Sequence, residues 1–217
     1  METKSFKGFD GLEIFYDVYH VEKPKAVLQV IHGSVEHALR YKHFAEFIQS
    51  SEVTVYVMDI RGHGRSLKTE LGVISDTEDS WGIIVKEQYE LTNIIKADYP
   101  DTSIVVMGHS MGSFIVRDYL SYYSSDIDAA IQSGTGSSDP ITVMGGKFLL
   151  KQERKKLGYH TPSVKLTDLV FGPLNKKAKK MGIDSFVSRD QAVIDKYNED
   201  PACGFDITVD HAKAMID

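Results

Sequence analysis

Residues 103–112 read Ser103-Ile104-Val105-Val106-Met107-Gly108-His109-Ser110-Met111-Gly112, and the reading of this stretch decides the fold. The run Ile104 to Met107 is short and wholly apolar, as expected of a central parallel strand buried on both faces. From the serine onward, Met111, Phe114, Ile115, Tyr119 and Leu120 recur at helical spacing. The segment therefore predicts a strand, a sharp turn and a helix, with Ser110 at the turn between Gly108 and Gly112. That is the layout of a nucleophile elbow. Glycine suits both flanks, because a Cβ there would press on neighbouring backbone. A helix start also offers free N–H groups and the positive end of its dipole to a developing oxyanion. An ordinary Gly-Ser turn is the plainer alternative, and the strand and helix around it argue against that.

Outward from the elbow, strands alternate with helices. Phe6 to Phe9 and Leu12 to Val21 read as a hairpin joined by Asp10-Gly11. Ala26 to Ile31, Val53 to Met58 and Ala129 to Gln132 read as further strands. Residues 38–50 read as an amphipathic helix carrying Leu39, Tyr41, Phe44, Ala45, Phe47 and Ile48. Ser75-Asp76-Thr77-Glu78 resembles a capping box opening a long helix whose apolar stripe runs from Trp81 to Ile95. The order predicts an α/β class: a mostly parallel central sheet with helices on both faces, begun by an N-terminal antiparallel hairpin. After Ser133 the pattern changes. Residues 137–204 read as a helical cap insertion, broken into short pieces by Gly145-Gly146, Pro162, Pro173 and lysine clusters. The expected division is a core at 1–136, the cap at 137–204 and a return segment at 205–217.

Composition sets the outer bounds. The chain has 217 residues, enough for one large domain or one domain with an insertion, and a formal net charge of −6. That charge argues against nucleic acid as the main partner. No stretch approaches the ~20 apolar residues of a membrane span, and the N-terminus has no apolar signal region. The single cysteine, Cys203, excludes an internal disulfide and fits a reducing, cytoplasmic setting. Lysines at 151–156 and 176–180 read as a solvated helix face, with transient contact to an anionic membrane surface as the alternative.

Three motifs occur together: the Ser110 elbow, His32-Gly33-Ser34-Val35-Glu36-His37 after one strand, and Asp59-Ile60-Arg61-Gly62-His63-Gly64-Arg65-Ser66 after the next. The trio resembles the α/β-hydrolase superfamily, and within it the monoacylglycerol lipase and lysophospholipase group, which includes the serine-aminopeptidase-type hydrolases. The stretch from Val187-Ser188-Arg189-Asp190 through Tyr197-Asn198-Glu199-Asp200-Pro201 resembles the end of the cap in that group. The resemblance implies a serine hydrolase cleaving small-molecule esters, lipid-like ones such as monoacylglycerols or lysophospholipids, through an acyl-enzyme on Ser110. It implies oxyanion donors at the backbone N–H groups of Met111 and Ser34, and no cofactor. An aminopeptidase or amide hydrolase on the same scaffold stays open, with Glu153 or Asp168 as an acidic anchor. So does a non-catalytic binding protein. The cap residues Phe148, Leu149, Leu150, Leu169, Val170 and Phe171 either wall an acyl chain or simply pack the cap.

A nucleophilic serine needs a histidine base and an orienting carboxylate, each on a later loop in such a fold. The resemblance places the triad Asp and His outside this chain, along with the last strands of the sheet. His160, His211 and Asp210 are weak substitutes, and His109 is expected to point away from Ser110. The spacing of His32, His37 and His43 fits no metal motif; His32 and His37 are expected to brace the oxyanion loop and His63 the glycine turn. A sheet lacking its last strands would expose an apolar edge, and self-association through it is expected.

Overall fold

The computed structural model describes residues 1–216 apart from Glu78 and Ser138. Six strands form one sheet: β1 (Glu2–Lys7), β2 (Glu13–Tyr19), β3 (Ala26–Ile31), β4 (Val53–Met58), β5 (Ile104–His109) and β6 (Ala129–Ser133), in the spatial order β1-β2-β4-β3-β5-β6. β1 and β2 run antiparallel to their neighbours, while β4, β3, β5 and β6 are mutually parallel. The hairpin turn is wider than the two residues expected: Gly8 N–H bonds to the Leu12 carbonyl at 2.7 Å, and Gly11 sits at φ +80°.

Register explains where the site must lie. Ile31 pairs with both Met58 and Gly108, and His109 pairs with Ser133. The parallel strands thus end level, so the segments after them converge at one carboxyl edge. In open parallel sheets that edge is where ligands bind.

The two faces are covered unequally. Alternate residues of β2, β3, β4 and β5 (Tyr16, Val27, Ile31, Tyr56, Val106) pack against α2 (Ser80–Asp98) and α3 (Met111–Tyr123). The opposite face (Leu28, Val30, Val55, Val57) meets α1 (Lys42–Gln49). Beyond α1 this face opens, and Val105 and Met107 are only half buried. β6 is an edge strand, its first four residues exposed.

The cap differs from its expected outline. It holds three helices, α4 (Pro140–Leu157), α5 (Val164–Lys180) and α6 (Gln191–Glu199), the first two long. Gly145-Gly146 lies within α4 and Pro173 within α5, so neither ends its helix. Pro162 does fall in a break between helices. The helices start cleanly because Asp139, Ser163 and Asp190 cap them with side-chain acceptors. The lysine clusters sit in the last turns of α4 and α5, where cations offset the helix dipole.

One further expectation shifts. Glu78 of the proposed capping box lies outside the described residues, and α2 is capped instead by Asp79, which accepts from Gly82 N–H. After the cap, Phe205 to Val209 forms no strand, only a single bridge between Pro162 and Thr208, and the chain enters α7 (Val209–Ile216). α7 packs against α4, α5 and α2, joining Val35, Leu150, Leu166 and Ile207 in one apolar cluster. Among the described residues no helix is long and apolar enough to cross a membrane.

Candidate active site

Ser110 stands at the junction of β5 and α3 with φ 51° and ψ −118°, a backbone conformation that side-chain-bearing residues seldom adopt. Tight packing holds it there. A Cβ on Gly108 would collide with the Gly112 carbonyl, and one on Gly112 would collide with the carbonyl of Ile31 on the adjacent strand. The two glycines let the elbow and the β3 exit lie against each other. Ser110 N–H bonds to the Ser133 carbonyl at 2.9 Å, anchoring the turn to β6. Ser110 itself is half buried, at the floor of a cavity of about 490 Å³.

The loop after β3 forms the facing wall. A Cβ built on Gly33 would lie 3.2 Å from that of Ser110, so this backbone passes directly beside Ser110. Val35 has φ 52°, a strained value for a β-branched residue. It is held by its carbonyl, which accepts from Gly204 N–H at 2.9 Å and Tyr197 Oη at 3.2 Å. Glu36 folds back to accept Gly33 N–H at 2.6 Å and the Tyr41 hydroxyl at 2.8 Å, and it pairs with Arg40. Met111 is the first residue of α3, where an amide has no intrahelical acceptor. Ser34 lies next to Gly33 on the cavity wall. Both sequence-derived oxyanion positions thus border the elbow.

Three buried histidines are layered behind this loop. The His32 and His63 ring centroids are 5.2 Å apart, and those of His63 and His211 are 4.9 Å apart. His32 Nδ1 meets the Gly33 carbonyl at 2.7 Å, and its Nε2 accepts Ile60 N–H at 2.9 Å, tying the β3 and β4 exits together. His63 Nδ1 lies 3.1 Å from the Arg61 carbonyl, within the glycine turn. Burial keeps all three neutral: it lowers His32 and His63 below the ordinary range and takes His211 down to about 3. The Asp59 carboxylate accepts Ala38 N–H at 2.8 Å and the Arg65 guanidinium at 2.6 Å.

The remaining histidines separate. His37 Nε2 bonds to Asp200 at 2.9 Å, so it ties the loop to the end of the cap. His43 is exposed on α1 beside Glu46. His109, expected to turn away, lines the same cavity as Ser110, with Nδ1 3.4 Å from Ser133 Oγ. His160 lies on the cap, 3.1 Å from the Ser75 carbonyl. Among the described residues no imidazole hydrogen-bonds Ser110 Oγ. His37, Asp200 and Cys203 bring ligand atoms within 4.8 Å of one another. Burial, then the charge of Asp200, push the Cys203 thiol up to about 12, which disfavours the thiolate a metal needs.

The cap closes the cavity with Phe171, Leu174, Phe186 and Tyr197. Of the six apolar cap residues proposed from sequence as an acyl wall, Phe171 reaches it. Leu149, Leu150, Leu169 and Val170 pack with α7, and Phe148 is exposed. Glu153 is buried and bonded to Ser163 and Lys165, so it offers no amine anchor. Sequence reasoning gave no role at the site to Glu36, Arg40 or Tyr41, whose signal was proximity to the His32-Gly33 motif.

Fold and elbow together define an α/β-hydrolase. The chain belongs to the family described as serine aminopeptidase, S33, which it matches over residues 22–217. It is 32% identical over 200 residues to a monoacylglycerol lipase of Mycolicibacterium smegmatis, covering 91% of this chain and 63% of that protein. It is 27% identical over 184 residues to the mouse (Mus musculus) monoglyceride lipase, covering 82% of this chain and 52% of that protein. The chain therefore spans between half and two thirds of the length of these relatives. A thermostable carboxyl esterase of Bacillus coagulans superposes with a TM-score of 0.85 at 22% identity, over 99% of this chain and 71% of that one.

Proposed function

We propose that this chain carries the nucleophile and the oxyanion hole of a serine hydrolase acting on carboxylic esters, lipid-like ones in particular. The observation that carries the reading is Ser110, strained at positive φ on the cavity floor beside the Gly33-Ser34 backbone. Ser110 Oγ attacks the ester carbonyl, the amides of Ser34 and Met111 receive the oxyanion, the alcohol departs, and water releases the acid from the acyl-enzyme. The proton acceptor for Ser110 comes from outside the described residues. The apolar cap side chains and the lipase names among the relatives support a lipid ester over a polar one.

The same reading extends to partners. Ile141, Met144 and Phe148 are exposed on α4 at i, i+3 and i+7, with lysines at the helix end, which supports contact with an anionic lipid surface. Amide hydrolysis is less favoured, because Glu153 is already engaged.

The test is direct. A fluorophosphonate probe should label the hydrolase at Ser110, and Ser110→Ala should abolish turnover of monoacyl esters while leaving the melting curve unchanged. Retained ester turnover in that variant sinks the assignment. Faster cleavage of amino-acid anilides than of monoacyl esters would instead favour the aminopeptidase reading. Substrate in anionic vesicles should be hydrolysed faster than in neutral ones, and equal rates would remove the membrane contact.

A further inference from the structure

Ser34 carries a hydroxyl in a place where only its backbone amide is needed. Its side chain is half buried on the cavity wall. The partner of Ser34 Oγ is His211 Nε2, 3.0 Å away and 177 residues distant in sequence.

His211 is a fixed post. It sits in the first turn of α7, its N–H held by Thr208 Oγ1 at 3.1 Å. The neighbouring Asp210 carboxylate accepts Ile74 N–H at 2.7 Å, Ser75 N–H at 2.8 Å and the Ser80 hydroxyl at 2.5 Å. Ser34 is equally restrained, because Glu36 and His32 pin Gly33 on both its amide and its carbonyl.

The proton inventory then sets the direction of the bond. His211 is buried and neutral, so it carries one N–H and one bare nitrogen. Its Nδ1 has no hydrogen-bond partner. A buried N–H without an acceptor is the costlier orphan, so the proton belongs on Nε2, which donates to Ser34 Oγ. The serine hydroxyl then has no acceptor in His211, which leaves its own proton free to rotate toward the cavity that Ser34 lines. A hydroxyl that accepts a hydrogen bond is also polarised into a better donor.

We propose that the Ser34 hydroxyl is a third donor to the oxyanion formed at Ser110, and that His211 is the positioning residue that aims it. The inference rests on the ester-hydrolase reading above. It also gives a role to a histidine that does not contact the nucleophile.

The experiment compares kcat and KM for Ser34→Ala, Ser34→Thr, His211→Phe and the Ser34→Ala/His211→Phe double variant in the complete hydrolase. Ser34→Ala should lower kcat at least about tenfold, toward the ~100-fold typical of losing an oxyanion donor, with little change in KM. Ser34→Thr keeps the hydroxyl and should recover most of that loss. His211→Phe should cost about as much as Ser34→Ala, and the double variant no more than either. A Ser34→Ala enzyme with wild-type kcat overturns the proposal, as does a double variant whose losses multiply. Should His211→Phe fail to fold, the Ala and Thr pair at Ser34 decides alone. A wild type lacking Ser110-dependent hydrolysis removes the parent reading and this one with it. Wild-type activity with an indifferent Ser34→Ala removes this one alone.

Discussion

Acid should unfold this protein earlier than its carboxylates alone would require. His32, His63 and His211 are at most 1% exposed, and burial holds each of them neutral. A histidine whose folded pKa is depressed takes up a proton more readily in the unfolded chain. Its contribution to stability is therefore complete above the ordinary value near 6.5, and is lost as pH falls toward the folded value. For His211 that window runs from about 6.5 down to about 3. Each such group removes about 1.4 kcal/mol per pH unit inside its window, so His211 costs about 2 kcal/mol between pH 7 and pH 5. His32 and His63 act in the same direction, because burial lowers both. Asp210 and Glu87 oppose this, since burial raises both, and protonating them as pH falls flattens the curve. Urea unfolding at a series of pH values between 7 and 5 measures the slope, which reports protons taken up on unfolding. His211→Gln should reduce that uptake by about one proton at pH 5. Identical slopes for variant and parent would refute the reasoning.

Two further outcomes follow from packing. Gly112→Ala should lower stability by at least about 1–3 kcal/mol, the usual cost of overpacking, because the new methyl meets the rigid Ile31 carbonyl; a thermal midpoint equal to the parent's would show the elbow to be looser than described. The β6 edge, exposed from Ala129 to Gln132 and including Ile131 at 46%, should drive concentration-dependent association of residues 1–217 that Ile131→Lys weakens. Sedimentation showing a single monomeric species at all concentrations would contradict it.

Much of the architecture was legible because it is encoded locally. Period-two and unbroken apolar runs mark strands, and the glycines around Ser110 mark a turn where Cβ atoms cannot fit. Local signals failed where tertiary contacts override them. Pro173 and Gly145-Gly146 predicted breaks, yet α4 and α5 run through them, with Phe171, Leu150 and Leu166 buried against neighbouring elements. Asp210, a weak triad substitute by sequence, proves to be the buried acceptor for the loop before α2.

The sequence by itself determined the strand-turn-helix at Ser110, the α/β class and the helical character of the cap, since each depends on side-chain spacing within a dozen or so residues. Only the tertiary structure decided which histidines meet, what Ser34 touches and which cap residues reach the cavity. Those relations join α7 to the β3 and β4 loops across more than 130 positions. Burial then sets the protonation of His211 and the direction of its hydrogen bond, and no local pattern carries that information.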